Sequence, residues 1–189
     1  MTGAAGARLR LLEGAYGCIV RHGIGATSLE GAAREAGVSR ATLYRYFPGG
    51  RDELIGEVIA WQTLLFFEGL AEAVADAPDV ETLLVEGILA ARRGIEEHVV
   101  LQKLLASEPE LLIPQLTLES PWLVALLTSF FSERLGAHAL TSGLDVREAA
   151  DYVARMVLSF IASPGRWDLA DREQVGELVR SELLAGLVP

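Results

Sequence analysis

The chain has 189 residues, 51% apolar, 7% aromatic and 22% charged. That allows one compact domain or two small ones, with Ala and Leu in excess and strand formers thin, so an all-α fold is expected. The single cysteine, Cys18, excludes a disulfide framework and a multi-cysteine metal site. No basic-then-apolar leader precedes Arg8 and Arg10, and the longest uncharged stretch, Ser120 to Ser132, is shorter than a bilayer span of about eighteen residues. The expectation is a cytoplasmic chain without a membrane. Net charge is −10, which alone argues against nucleic acid, but it is unevenly placed. Residues 1–50 carry six Arg against three Glu, and the remainder ten basic against twenty-three acidic residues, so only the N-terminal quarter suits phosphate.

In chain order, Leu9, Leu12, Tyr16, Ile19 and Val20 recur at helical spacing, predicting a first helix over 8–22 that stops at Gly23-Ile24-Gly25. Thr27 and Glu30 have capping-box spacing and open a short second helix. Its Leu29, Ala32, Ala33 and Ala36 share a side, and the small alanines let another helix backbone come close. Gly37 supplies the turn, Val38 is expected as a buried plug, and Ser39 caps a third helix over 40–47. After Pro48-Gly49-Gly50 a long helix runs from Arg51 to about Ala75. Further helices are predicted over 79–98, 99–106, 109–118, 121–140, 146–162 and 171–187, several opening at Asp or Ser caps.

Residues 27–47 thus read as two short helices about a glycine turn. The second presents Arg40, Thr42, Tyr44, Arg45 and Tyr46, while Leu43 and Phe47 face inward. Such a helix fits the major groove, where Arg reaches guanine O6 and N7 and a Tyr hydroxyl reaches phosphate. It is also a common corner of helical bundles.

The segments Thr27-Ser28-Leu29, Ala32-Ala33, Ala36-Gly37-Val38-Ser39 and Thr42-Leu43-Tyr44-Arg45-Tyr46-Phe47 resemble the N-terminal signature of TetR-family (TetR/AcrR) transcriptional regulators, over roughly residues 8–58. The resemblance implies an all-α homodimer with an N-terminal three-helix helix-turn-helix domain, residues 1–50. A C-terminal helical bundle, residues 51–189, would bind an effector and dimerise. It also implies roles. Thr27, Ser28, Ser39, Tyr44 and Tyr46 match phosphate-contacting positions, Arg40 and Thr42 base-facing ones, and Arg45 a variable position that reads either. The family usually has Phe-x-x-Lys-x-x-Leu, whereas Phe47 to Leu54 here has one extra residue and Arg51 in place of Lys. Arg51 is therefore the expected substitute for the phosphate-gripping lysine.

The C-terminal part resembles the family only in helical layout. Trp61, Leu65, Leu104, Trp122, Leu126 and Phe130 are the candidate effector-binding residues, in surroundings poor in charge that suit an apolar small molecule such as an acyl chain, sterol or aromatic compound. The same side chains would serve equally as core. The helices over 146–162 and 171–187 carry Ala149, Val153, Met156, Val157, Phe160, Val175, Leu178, Val179 and Leu183 on apolar faces suited to a dimer. Double-stranded DNA, an effector and a second copy are the expected partners. No cofactor is expected. A metal site is disfavoured, since Glu96, Glu97 and His98 are consecutive and point apart around a helix. With no Gly-x-Ser-x-Gly elbow, no base spaced for Cys18 and no phosphate-cradling glycine fingerprint, no enzyme is expected. The competing class is a helical dimeric interaction or small-molecule-binding protein without sequence-specific DNA binding.

Overall fold

The computed structural model describes residues 4–116, 120–136, 141 and 143–187. Every regular element among them is helical: α1 (Ala4–His22), α2 (Leu29–Glu35), α3 (Arg40–Tyr46), α4 (Arg51–Ala73), α5 (Val80–Glu97), α6 (Val99–Ser107), α7 (Pro109–Leu112), α8 (Pro121–Leu135), α9 (Val146–Ala162) and α10 (Arg172–Leu178). The chain forms two compact units, Met1–Phe67 with Val100–Leu112, and Glu68–Val99 with Ile113–Pro189.

In the first unit α1 lies against α2, and α2 against α3. The α1–α2 seam is built from small residues, as the alanine spacing leads one to expect. A methyl group on Gly14 of α1 would stand 2.9 Å from both Ala32 O and Ala36 N, so only glycine admits this approach. Leu11, Leu12, Ile19, Ile24, Leu43, Phe47, Leu54 and Val58 close the core. Each such burial contributes about 1.5–3 kcal/mol. Arg8 ion-pairs with Glu57 of α4 and lies over the Phe47 ring. From the segment 100–112, Leu104 and Leu112 are buried.

The second unit packs α8 on α9 and α5 on α9 and α10. Glu81 and Glu86 of α5 ion-pair with Arg180 and Arg172 at 2.8 and 2.6 Å. Asp79, Asp145 and Asp171 cap α5, α9 and α10 through their carboxylates, as their positions before the apolar runs predict.

Four elements depart from expectation. The run from Pro109 is helical only to Leu112, with a 3-10 turn over Ile113–Gln115; residues 117–119 lie outside the described residues. α8 ends at Leu135, and 137–140 lie outside them too. The last helix gives way at Val179–Leu183 to a wider π turn. Finally, α4 has a mean hydropathy of 1.4 over 18 residues and is, among the described residues, the one helix long and apolar enough to cross a membrane. Glu57 and Glu68 break its run of uncharged residues, which is why a scan for uncharged stretches passes over it. In the folded chain its Leu54, Ile55, Val58 and Ile59 are buried and Glu57 holds Arg8.

The expected dimer faces are largely the second unit's own core. Ala149, Val153, Val175, Leu178, Val179 and Leu183 are all buried within one chain, the last five completely. What α9 leaves half-exposed is Met156, Val157 and Phe160.

Candidate nucleic-acid interface

The site is built on two short helices and the loops before them. α2 starts one residue later than the capping-box spacing suggests. Its cap is Ser28, whose Oγ accepts from Gly31 N at 3.1 Å. Thr27 is only 3% exposed, and its hydroxyl donates to Gly23 O at 2.7 Å. Gly37, at φ +63°, makes the turn after α2, a backbone region that a β-carbon disfavours. Val38 follows half-buried rather than fully buried. Ser39 caps α3, its Oγ accepting from Thr42 N at 3.1 Å, with the Ser39 and Thr42 hydroxyls 2.9 Å apart.

With Leu43 and Phe47 fully buried beneath it, α3 is oriented by its inner side and keeps its polar side outward. Arg40, Tyr44 and Arg45 are exposed, Thr42 and Tyr46 half-buried. Arg45 lies over the Tyr46 ring at 5.1 Å. Arg40 lies over the Tyr44 ring at 5.5 Å, donates to the Tyr44 hydroxyl at 3.4 Å and ion-pairs with Glu30 of α2 at 3.0 Å. The Tyr44 hydrogen bond, then the Glu30 carboxylate, hold the Arg40 guanidinium above its ordinary value.

Two of the expected phosphate contacts are turned inward. Besides Thr27, Arg51 directs its guanidinium at the loop between α1 and α2, donating to Thr27 O at 2.8 Å, Ile24 O at 2.5 Å and Gly25 O at 3.2 Å. Backbone carbonyls outside helices need donors, and three of them converge here. Gly50, at φ +79°, leads the chain into α4 and places Arg51 at its start. The same loop is held from α6 and beyond. Glu108 accepts from Gly25 N at 2.6 Å, and Lys103 donates to Val20 O at 3.1 Å, in the last turn of α1. Glu30, Lys103 and Glu108 are the residues that sequence spacing did not single out for this site. Lys103 as the chain's one lysine was the only available signal.

A polar cleft of about 240 Å³ opens beside this loop, lined in part by Arg21, His22, Ser28 and Arg34. Arg21 is paired with Glu35 at 2.7 Å, so its charge is already compensated.

The expected effector residues fall in both units. In the first, Trp61 meets Tyr16 edge to face at 6.3 Å, Leu65 is exposed and Leu104 is buried. In the second, Trp122, Leu126 and Phe130 form a half-exposed stripe along α8, with Phe130 against Phe131 and under Arg134. Among the described residues no group of three or more His, Cys, Asp or Glu is placed to hold a metal ion.

Comparison with known proteins agrees with this geometry. Residues 11–58, which span α1 to the first turns of α4, match the family described as bacterial regulatory proteins, tetR family. An uncharacterized HTH-type transcriptional regulator of Mycobacterium tuberculosis is 25% identical over 170 residues, covering 90% of this chain and 82% of that one. Among solved structures, the TetR-family repressor QsdR of R. erythropolis superposes with a TM-score of 0.67 at 22% identity, over 97% of this chain and 96% of its own. AlkX of Dietzia sp., a TetR-family repressor implicated in biodegradation of n-alkanes, also gives 0.67, at 23% identity over 95% and 96%. Residues 11–58 therefore match the DNA-binding region of tetR-family regulators, and over most of its length the chain is similar in sequence to an HTH-type transcriptional regulator and in fold to TetR-family repressors.

Proposed function

We propose that this chain is a TetR-family transcriptional regulator, a repressor that binds a palindromic operator as a homodimer and is released by a small apolar effector. The observation that carries the reading is the outward face of α3, where Arg40, Tyr44 and Arg45 stand exposed on a helix fixed by Leu43 and Phe47. In this reading Arg40 and Thr42 meet bases, Ser28, Ser39, Tyr44 and Tyr46 meet phosphate, and Arg45 meets either. Thr27 and Arg51 contribute by holding the loop that leads into α2. Residues 1–50 act as the reading head and 51–189 carry effector binding and dimerisation. One short helix reads too few base pairs to be selective, and two-fold symmetry doubles the site. The half-exposed Met156, Val157 and Phe160 of α9 support a second copy docking there.

For the effector, solved neighbours are complexes with triclosan, an apolar aromatic compound, and with stearoyl-CoA, whose acyl chain is apolar although its coenzyme A head is strongly anionic. The stripe Trp122, Leu126, Phe130 on α8, and separately Trp61 and Leu65 in the other unit, offer surfaces of that chemistry, with the buried Leu104 kept as a candidate pocket residue. Effector binding would favour a conformation whose heads no longer match successive major grooves.

The test is a titration of the full chain, with competitor DNA, against a duplex from upstream of its own gene and against a random-sequence pool, at two salt concentrations. Enrichment of a palindrome, bound less tightly as salt rises, is expected. Arg40→Ala should weaken the enriched site by about 1–3 kcal/mol and relax preference at one position per half-site. A pool that enriches no sequence would replace this reading with that of a dimeric interaction protein.

A further inference from the structure

Glu30 occupies the DNA-facing side of a head that must approach phosphate, where a bare carboxylate would repel its partner. Its spacing suggests a capping-box acid, whose carboxylate turns back to its own helix start. The structure gives it another partner. Ser28 caps α2, and Glu30 Oε1 lies 3.0 Å from Arg40 Nη2, the first residue of the next helix. The pair bridges the glycine turn, tying α2 to the side chain that α3 holds outermost.

The geometry leaves Arg40 able to read a base while the pair is intact. A guanidinium presents a parallel pair of N–H groups along its terminal edge, one from each amino group, and this pair fits guanine O6 and N7. Nη2 carries two hydrogens. Glu30 Oε1 stands 3.0 Å from it as an ion pair, and the Tyr44 hydroxyl accepts from it at a weak 3.4 Å. Nη1 and Nε have no partner among the described residues. Both side chains are open to solvent, 64% exposed for Arg40 and 55% for Glu30, so without the pair Arg40 would sweep many rotamers and reach backbone phosphate as readily as a base. The ring of Tyr44 beneath it at 5.5 Å limits the guanidinium from the other side.

Resting on the DNA-reading function above, we propose that Glu30 is a positioning and specificity-determining residue, which holds Arg40 with its terminal edge toward a guanine and away from phosphate. Loss of Glu30 then lets Arg40 find substitute contacts on wrong sequences, and discrimination falls at the one base pair that Arg40 reads.

The experiment uses the full chain and the palindrome that the wild-type protein enriches from a random pool. The base pair read by Arg40 is the one whose preference Arg40→Ala erases. Glu30→Ala should reduce discrimination at that pair about 1.5- to 5-fold, the range that an exposed ion pair supports, and leave other positions unchanged. Glu30→Gln, which retains an acceptor oxygen, should fall between. In an Arg40→Ala background, Glu30→Ala should change discrimination nowhere. Both variants are first checked for unaltered helicity and melting.

Two outcomes overturn the inference while leaving the DNA-reading function intact. In one, Glu30→Ala tightens all DNA equally, which would be removal of a repelling charge. In the other, its effect on discrimination persists without Arg40. If the wild-type protein enriches no palindrome, or Arg40→Ala erases no preference, the underlying reading fails and this inference with it.

Discussion

Two polar patches on the same head use the same kinds of residue in opposite ways. On the outer face of α3, Arg40 lies over the Tyr44 ring, meets its hydroxyl and pairs with Glu30, Arg45 lies over the Tyr46 ring, and Arg40, Tyr44 and Arg45 stay open to solvent. At the loop between α1 and α2, Thr27 and Arg51 are committed to main-chain oxygens, with Glu108 on the main-chain N–H of Gly25. The difference lies in the backbone nearby. At α3 the carbonyls of Ser39 and Leu43 accept from N–H groups one turn later, so the side chains of its outer face are not drawn to the main chain. The loop has no such ladder, and its carbonyls capture whatever donor is in reach. Residue type alone therefore does not separate a side chain left open to solvent from one committed to the protein's own main chain.

The largest effect expected is on the layer under the outer face. Phe47→Ala removes a ring that is 1% exposed and should destabilise the head by about 3–5 kcal/mol in urea unfolding, abolishing DNA binding as the head loosens. A loss below about 1.5 kcal/mol would mean the site collapses to refill the space. Next comes the contrast itself. Arg51→Met removes the donor to the carbonyls of Gly25 and Thr27 and leaves Ile24 O only the Thr27 N–H, and should cost about 1–3 kcal/mol of stability. Arg45→Ala on the outer face should stay within about 0.5 kcal/mol. Equal melting of the two variants would erase the distinction drawn between the patches.

The smallest effect is a control in the other unit. The carboxyl of Asp171 is held below its usual range by hydrogen bonds from the backbone of Gln174 and then of Glu173, at the start of α10. A depressed folded value means the stabilisation is complete above the ordinary carboxylate range and disappears as pH falls through the lowered value. Thermal melting should show the wild-type chain losing its advantage over Asp171→Asn on acidification below about pH 4, with DNA binding at neutral pH unchanged. An advantage independent of pH would assign the effect to shape rather than charge.

Much of the head was readable because its signals are local. The apolar spacing of α1, the Ser39 cap, Gly37 and the alanine side of α2 all act within one or two turns. The single-residue shift from Thr27 to Ser28 at the start of α2 was not readable, since both hydroxyls can cap and the choice depends on where Gly23 O lies. Nor was the inward path of Arg51, which depends on carbonyls 24 and more residues away in sequence. In the second unit, Val175, Leu178, Val179 and Leu183 show the deeper limit. An apolar helix face looks the same whether its own chain or a second copy covers it, and only the folded arrangement says which.

The seam at Gly14 has a mechanical consequence. Where α1 meets α2, no layer of long side chains separates them, so there is nothing compressible to absorb a tilt. The two helices form a stiff strut, and α3, joined to it by a single glycine turn and by Leu43, is carried along. A push delivered on α1 would then arrive at the outer face of α3 as translation or rotation of a rigid body, leaving the arrangement of side chains on that face unchanged.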